Sequence, residues 1–436
     1  MTKRFLSVLI VCYFVAPAFS ADFETEKFNN WHHWRGPDYS GAAHNANPPT
    51  TWSEDKNIKW KAEIPGNGSS TPIIWGNKVF ITTAIQTDKS KEGAQVSGDR
   101  SPSKYYKFDV ICFDRNSGDI LWQKTATETV PHEGHHGTNT YASGSPTTDG
   151  EFLYVTFGSF GIFCYDLDGN LIWQRDLGDM QTRNSFGEGT SLTVHGDNLI
   201  VTWDHEGPSF ITNLDAKTGD PKWKVDRDEQ TTWATPIVVE HDGVTQVIAN
   251  GAKRVISYNI KDGKIIWQCG GQTGNPIPTP IVRNGIVLVT SGWRGEALYA
   301  IPLNSKGDIT GTDKIAWSYN NDTPYVPSPV LVQDRLYFTK DRNPIMSCVN
   351  ADTGEVILPA ARLPELLGTV YASPAASGDN VYFTTRDGKT LVLKVGDESK
   401  PFSVNQVDDE IDATPVIIGD KIFLRGKEYL YCISAS

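Results

Sequence analysis

Short apolar runs separated by polar turns follow one another along most of the chain, and the arrangement repeats eight times. Each repeat opens on a Ser or Thr that Pro follows, except in the third copy, where Leu192 stands in place of Pro. An apolar run, a turn with Gly, Asn or Asp, and a second apolar run come next, as in TPIVRNGIVLVTSG from Thr279. Runs rich in Val, Ile, Phe and Tyr and bounded by such turn residues indicate β-hairpins.

A second hairpin follows in most copies and ends in a large residue, as in FITNLDAKTGDPKWK from Phe210. We interpret this residue as packing between neighbouring units, since large aromatic side chains bury much apolar area. From the fourth copy onward the copies begin forty to fifty residues apart, the length of a four-stranded propeller blade. The sequence therefore predicts an all-β fold, an eight-bladed β-propeller with four-stranded antiparallel blades. The closing residue is Trp in five copies: Trp122, Trp173, Trp223, Trp267 and Trp317.

The eighth copy, which starts at Thr414, has sequence for three strands only before the chain reaches Ser436. Residues 57–64 match the closing-strand pattern, with Trp60 in the Trp position, and have no hairpin of their own. We therefore expect this N-terminal strand to complete the last blade. Such closure removes the exposed sheet edges that an open array would carry.

Two polar segments fall outside the repeat. Residues 86–107 separate the second and third strands of the first copy, and we predict a loop insertion there. Residues 21–56 contain Trp31, Trp34 and Trp52, and three Trp residues in so short a segment predict that it packs on the propeller. The propeller itself is assigned to residues 57–436.

The first twenty residues are typical of an export signal. Lys3 and Arg4 precede an apolar stretch at 5–19, and Ala18 and Ser20 provide small residues for cleavage. An uncleaved membrane anchor is the alternative, although the stretch is short for a bilayer. We expect residues 1–20 to be a signal peptide. The mature protein would then be secreted or periplasmic, without a membrane span.

Charge and cysteine content limit the classes of partner and cofactor. The net charge is −12, and removal of Lys3 and Arg4 makes it −14 (−12 − 2). This balance opposes nucleic-acid binding, which depends on basic residues. Six cysteines are present, of which Cys12 lies in the signal segment. The remaining five form neither a Cys-x-x-Cys motif nor an adjacent pair, so we predict free thiols rather than a zinc site or a disulfide framework.

The pattern Ala-x-Asp-x-x-Thr-Gly-x-x-x-Trp, nearly complete in LDAKTGDPKW, resembles the PQQ-type propeller repeat. The resemblance covers residues 57–436. Stretches such as WRGPDYSG, TNTYASGSP and GGQTGNPIPTP are similar to secreted PQQ-like propellers of unassigned function. The same fold occurs in quinoprotein alcohol dehydrogenases and in the propeller lipoprotein of the outer-membrane β-barrel assembly machinery. The first group implies an enzyme with PQQ and calcium on the propeller axis, and the second implies a binding protein.

The residues favour the binding protein. Adjacent cysteines, which the dehydrogenases usually carry beside the quinone, do not occur in this sequence, and no position matches their calcium ligands or catalytic Asp. We expect no cofactor. We expect a monomeric binding or scaffold protein for a protein, glycan or small molecule. The alternative is an oxidoreductase at the channel mouth, dependent on PQQ with calcium or on another divalent metal; function depends on sites rather than folds.

One face of the propeller carries the candidate site. Turns between first and second strands, and between third and fourth, are short and generic; we call their side the turn face. Loops between second and third strands and between blades are longer and richer in His, Arg and Trp, and we call their side the loop face. The predicted ligand-binding residues are His132, His135, His136, Arg183, Asp204, His205, Glu206, Trp233, Trp293, Arg294, Arg342 and Arg386. The candidate metal ligands are His132, His135, His136 and His205, because imidazole and carboxylate groups bind zinc, copper or iron.

Overall fold

A computed structural model of the protein describes residues 23–91, 102–398 and 400–435. The predicted signal peptide at 1–20 lies outside the described residues. Eight sheets form the propeller that the repeats predict. Helical structure within the described ranges is limited to the α-helical turn Phe23–Glu26 and the 3₁₀ turns Lys27–Asn29, Gly158–Phe160 and Arg183–Ser185. No helix in this part of the chain has the length and apolar character that crossing a membrane requires.

The first four blades follow the repeats in chain order, and in each blade the strands succeed one another from the channel outward. Blade 1 consists of Ile73–Trp75, Lys78–Ser90, Lys104–Asp114 and Ile120–Thr129. Blade 2 consists of Thr147–Thr148, Phe152–Thr156, Ile162–Asp166 and Leu171–Arg175. Blade 3 consists of Thr193–His195, Asn198–Trp203, Phe210–Asp215 and Pro221–Asp226. Blade 4 consists of Ile237–His241, Val244–Ala249, Arg254–Asn259 and Ile265–Gly270, with Gly307–Asp308 added in parallel at its outer edge.

The other four blades complete the ring. Blade 5 consists of Ile281–Arg283, Ile286–Ser291, Ala297–Pro302 and Trp317–Tyr319. Blade 6 consists of Val330–Val332, Arg335–Thr339, Ile345–Asn350 and Val356–Arg362. Blade 7 consists of Ala375–Ser377, Asn380–Thr384, Lys389–Lys394 and Pro401–Gln406, with Ala42–Ala43 parallel to its innermost strand. Blade 8 consists of Val416–Ile418, Lys421–Arg425, Tyr429–Ser434 and, from the N-terminal part of the chain, Ile58–Glu63.

The predicted ring closure is confirmed. Ile58–Glu63 pairs antiparallel with Tyr429–Ser434, and the register places Trp60 opposite Cys432. In contrast, the prediction of a loop over residues 86–107 was wrong at both ends of that range, where the structure has strands. The second and third strands of blade 1 continue as a ladder in which Gln86 pairs with Tyr106, because the ring of Tyr106 packs edge-on against Tyr141 and supports the longer hairpin.

The Trp that closes a blade binds the next blade through the glycine of the Thr-Gly or Asp-Gly turn. Trp173 donates its indole N–H to the carbonyl of Ala216 at 2.9 Å. A Cβ on Gly219, whose φ is +71°, would lie 2.7 Å from the same ring. The turn therefore requires glycine both for its backbone conformation and for close approach of the neighbouring Trp. This contact accounts for the recurrence of both Gly and Trp from one repeat to the next.

The five cysteines among the described residues are free and buried, as predicted. Cys112, Cys164, Cys348 and Cys432 occupy corresponding third-strand positions in four different blades. Each lies directly opposite the large closing residue of its blade, as Cys112 does opposite Trp122. These thiols therefore act as small apolar residues of the blade interior.

Candidate functional site

Residues 31–43 cross the turn-face end of the central channel. Trp31 pairs with Ile74 of the innermost strand of blade 1, and the backbone N–H of Thr148 in blade 2 donates to the carbonyl of His32 at 3.1 Å. Ala42–Ala43 then joins the innermost strand of blade 7. We call this segment the channel cover, because it bridges inner strands of separate blades at one end of the channel.

A buried arginine holds the channel cover in place. The guanidinium of Arg35 donates from Nη1 to the carbonyl of Pro374 at 3.1 Å and from Nη2 to that of Pro329 at 2.5 Å. The side chain is fully buried, and this burial lowers the pKa of Arg35 to about 9. Gly41 has φ +80°, and a Cβ there would lie 2.0 Å from Arg35 Nη2. The WRGPDYSG motif, residues 34–41, therefore forms the central part of the cover.

A cavity of about 290 Å³ lies on the propeller axis, with Trp34 of the channel cover among its lining residues. Its other walls come from the loop face, and five of the side chains there are aromatic. Trp293 stacks on Tyr325, with ring centroids 4.8 Å apart. Trp233 donates its indole N–H to the carbonyl of Gly187 at 2.8 Å, which fixes the ring. The six aromatic lining residues are Trp34, Phe186, Trp233, Trp293, Tyr325 and Tyr371.

Ser and Thr hydroxyl groups form most of the polar lining, and six of the nine stand at the Ser-Pro or Thr-Pro position of the repeat, which in the third copy is Ser191 followed by Leu192. The backbone N–H of Thr71 donates to Ser145 Oγ at 2.9 Å, and that of Ser145 donates to Ser191 Oγ at 2.9 Å. The N–H of Ser328 binds Ser373 Oγ in the same way. Each such bond joins two neighbouring blades. The residue before Pro thus links the inner strands and presents a hydroxyl to the channel.

Charge is nearly balanced in this lining. Its two charged residues are Arg342 and Asp412. Asp412 accepts hydrogen bonds from Arg386, 2.7 Å from Nε and 2.9 Å from Nη2, so both of its oxygens are engaged. Arg342 donates to the hydroxyl of Tyr371 at 3.0 Å and lies 3.5 Å from Asp341. The cavity therefore has no uncompensated cluster of charge.

Four of the residues singled out from the sequence line the cavity: His136, Trp233, Trp293 and Arg342. Two more lie beside it. Arg294 is exposed, and its guanidinium stands 5.5 Å from the Trp293 ring centroid. Arg386 lines a neighbouring polar cavity of about 170 Å³. Arg183 donates to Asn275 Oδ1 at 3.2 Å, and His135 packs edge-on against Tyr141, so neither contributes to the axial cavity.

Asp204, predicted as a ligand-binding residue, instead holds two blade 3 segments together. Its carboxylate binds Arg227 at 2.7 Å and 3.0 Å, and both side chains are fully buried. Thr232 donates to the same carboxylate at 2.9 Å. The sequence shows Asp204 next to His205 and gives no indication of Arg227, more than twenty residues later, as its partner. This carboxylate is therefore unavailable to a ligand.

His205 and Glu206 likewise organise their own loop. His205 Nδ1 accepts the backbone N–H groups of Gln181 at 3.0 Å and Gly207 at 3.3 Å. Its Nε2 lies 3.2 Å from the carbonyl oxygen of Pro208, so both ring nitrogens are engaged. Glu206 accepts a hydrogen bond from the Thr231 hydroxyl at 2.8 Å. The adjacency of His and carboxylate in this loop reflects local hydrogen bonding.

The four candidate histidines do not form a common ligand set. Among the described residues, the group with metal-ligating geometry is His132, Glu133 and Glu188, whose ligand atoms lie within 4.8 Å of one another. All three border a small cavity of about 30 Å³. Glu188 accepts the backbone N–H of Ser159 at 2.7 Å, and burial raises its pKa to about 8. Glu133 was missed in the sequence, although a carboxylate inside PHEGHHGTN was the available signal.

A quinone with its calcium ion does not fit the axial cavity. Calcium binds several oxygen ligands, commonly including carboxylates. Of the residues that line the cavity, Asp412 is the one carboxylate, and Arg386 engages both of its oxygens. The described cysteines are all free, so an adjacent-cysteine disulfide is also missing from this part of the chain. We therefore derive no reaction step through PQQ.

Fold and repeat together define a PQQ-like propeller. Residues 107–357 match the family model for outer membrane protein assembly factor BamB. This match spans more than half of the chain, so the protein belongs to that family. No curated protein matches the sequence.

Solved structures with the same fold include the assembly factor BamB and two dehydrogenases. BamB from Moraxella catarrhalis is 15% identical, with a TM-score of 0.54, over 80% of this chain and 98% of its own. A europium-containing methanol dehydrogenase is 9% identical, with a TM-score of 0.63, over 94% and 99%. Quinohemoprotein alcohol dehydrogenase from Comamonas testosteroni is 10% identical, with a TM-score of 0.65, over 96% and 82%. At these identities the likeness shows the fold alone.

Proposed function

We propose that the protein is an extracytoplasmic binding protein whose ligand enters the axial cavity from the loop face. The observation that carries the proposal is the combination of a covered turn-face end with an aromatic cavity open to the other side. Concave, mostly apolar cavities with a few oriented polar groups are typical ligand sites. A ligand that enters this one meets Trp34 at its end, so the cavity holds a small molecule or one end of a larger molecule.

Family membership supports the extracytoplasmic setting. The family takes its description from a factor for outer membrane protein assembly, and that process takes place outside the cytoplasm. A protein partner would contact the rim of the cavity, where Trp293, Arg294 and Arg342 lie close together. Trp, Tyr and Arg are the residue types that contribute most binding energy at protein interfaces. The proposed binding face therefore combines a cavity with a rim that suits a scaffold protein.

Native mass spectrometry of the protein purified from its source tests this proposal. The wild-type protein should carry a co-purifying molecule, and Trp233→Ala should lose it while the far-ultraviolet circular dichroism spectrum is unchanged. Phe402→Ala is the control, because Phe402 is an exposed aromatic residue on the outer strand of blade 7. Equal retention by both variants would contradict a cavity site.

A second candidate, a metal-dependent oxidoreductase, is favoured by the grouping of His132, Glu133 and Glu188. One imidazole and two carboxylates suit zinc or iron. His132 Nε2 lies 2.7 Å from the carbonyl oxygen of Met180, and a bond of this kind orients metal-ligating histidines in other proteins. Elemental analysis after incubation with Zn²⁺ or Fe²⁺ should find one bound ion in the wild type and none in Glu188→Gln. Glu206→Gln, in a neighbouring loop, should retain it; absence of metal from the wild type would remove this candidate.

A further inference from the structure

We propose that the axial cavity binds an electrically neutral sugar, either free or as the terminal unit of a glycan. This inference rests on the proposed function of the cavity as a ligand site and names the class of ligand. Its basis is the combination of aromatic faces, free hydroxyl donors and balanced charge in one lining.

The aromatic side chains suit the apolar faces of a pyranose ring. In the stacked pair, Trp293 comes from the loop between the second and third strands of blade 5, and Tyr325 comes from the connection between blades 5 and 6. Trp34 comes from the channel cover at the opposite end. A flat ligand with C–H groups on its faces can therefore contact aromatic surface along the length of the cavity. Such contacts bury apolar area on both partners.

The hydroxyl groups of the lining suit the edge of the pyranose ring, where its oxygen atoms lie. Ser145, Ser191 and Ser373 each accept a backbone N–H through Oγ. A hydroxyl has one proton to donate in addition to its acceptor sites. An accepted bond therefore leaves that proton for a ligand oxygen. Several such donors surround one axis, an arrangement that matches a ligand with hydroxyl or ring oxygens around its edge.

The charged residues of the lining disfavour anionic ligands. Arg342 is the cation of the lining, and it already contacts the hydroxyl of Tyr371 and the carboxylate of Asp341. Asp412 places a carboxylate in the same lining. A ligand with several carboxylates would be desolvated here without matching cations, which is costly. A neutral, polyhydroxylated ligand carries no such cost.

The dimensions limit the ligand to a small number of rings. Ligand cavities commonly measure about 300–1,000 Å³, and this one, of about 290 Å³, stands at the lower end. Because the channel cover lies at one end, a longer chain cannot thread through the propeller. A glycan would therefore insert its terminal one or two units from the loop face.

Isothermal titration calorimetry with defined probes tests the inference. The probes are glucose, galactose, mannose, N-acetylglucosamine and their β- and α-linked disaccharides, with glucuronic acid and PQQ as anionic comparators. At least one neutral sugar should bind, and Trp293→Ala should weaken that binding about tenfold or more, in line with the loss of one buried aromatic contact. Trp293→Phe should retain part of the affinity, and Phe402→Ala should match the wild type.

The outcomes separate this inference from the proposed function. Binding of PQQ or glucuronic acid in preference to every neutral sugar, with the same sensitivity to Trp293→Ala, would overturn the neutral-sugar assignment and leave the cavity site in place. Neutral-sugar binding that Trp293→Ala does not change would place the sugar elsewhere and also overturn the inference. A cavity that binds no probe in calorimetry, in a protein that carries no molecule from its source, would overturn both proposals.

Discussion

The indole ring of Trp60 lies against Gly118, and its Nε1–H donates to the carbonyl of Arg115 at 3.1 Å. Trp60 belongs to the N-terminal strand of blade 8, whereas Gly118 is in the outer turn of blade 1. The two residues therefore meet where the ring closes. The contact that joins blade 8 to blade 1 is thus made by an aromatic side chain of the N-terminal strand and a tight turn of the first blade.

Gly118→Ala should destabilise the protein more than Gly76→Ala does. Both glycines have positive φ, +79° and +58°, so both variants carry backbone strain. A Cβ on Gly118 would also lie 2.7 Å from Trp60 Cδ2, whereas a Cβ on Gly76 meets nothing within 4 Å. We expect about 1 kcal/mol of strain for Gly76→Ala and about 2 kcal/mol more for the clash in Gly118→Ala. Urea unfolding measures both, and equal losses would show that the Trp60 contact is unimportant.

Replacement of Ile58–Glu63 by a Gly-Ser linker of the same length should open the ring. The edge of Tyr429–Ser434 would lose its antiparallel partner, and unpaired edges promote association between chains. Size-exclusion chromatography with light scattering should show oligomers, and the melting temperature should fall. Lys61→Ser keeps the strand and is the control; a monomeric linker variant with the wild-type melting temperature would contradict the closure model.

Asp204→Asn should cost about 3 kcal/mol of folding free energy, because it leaves the fully buried Arg227 without its carboxylate. The exposed pair of Lys78 and Asp168 offers a matched comparison, since ion pairs in solvent contribute little. Chemical denaturation should therefore show a much smaller change for Asp168→Asn. If both variants lost the same stability, burial of the Asp204 pair would not be the cause.

The buried thiols predict a loss of stability at alkaline pH. Burial raises the pKa of Cys112 and Cys432 to about 12 and that of Cys269 to about 11. An unfolded cysteine has a pKa of about 8.5, so above that pH the unfolded chain releases protons that the folded protein retains. Stability should therefore decline from about pH 8.5 toward pH 11, by linkage.

Thermal denaturation at pH 8 and pH 10 measures this decline, and Cys112→Ala should reduce it. Under native conditions at pH 8 the described thiols should react slowly with a thiol reagent, and they should all react in denaturant. Rapid reaction in the native state would contradict their burial.

The sequence alone determined the blade count, the strand order within each blade and the closing strand, because each blade is a local unit of two hairpins with its own apolar pattern. The recurring Gly and Trp of the repeat were also visible, although the contact between them, which joins neighbouring blades, required the structure. The loop face was predicted as the carrier of ligand chemistry, and four of the residues predicted there line the axial cavity.

Tertiary structure decided which of those residues are available to a ligand. Asp204 is neutralised by Arg227, and both nitrogens of His205 are engaged, facts that depend on where separate loops meet. The tertiary structure also places the WRGPDYSG motif across the turn-face end of the channel and brings Trp34 into the cavity. Apolar periodicity predicts local strands, but it carries no information on contacts between distant loops, and those contacts define the site.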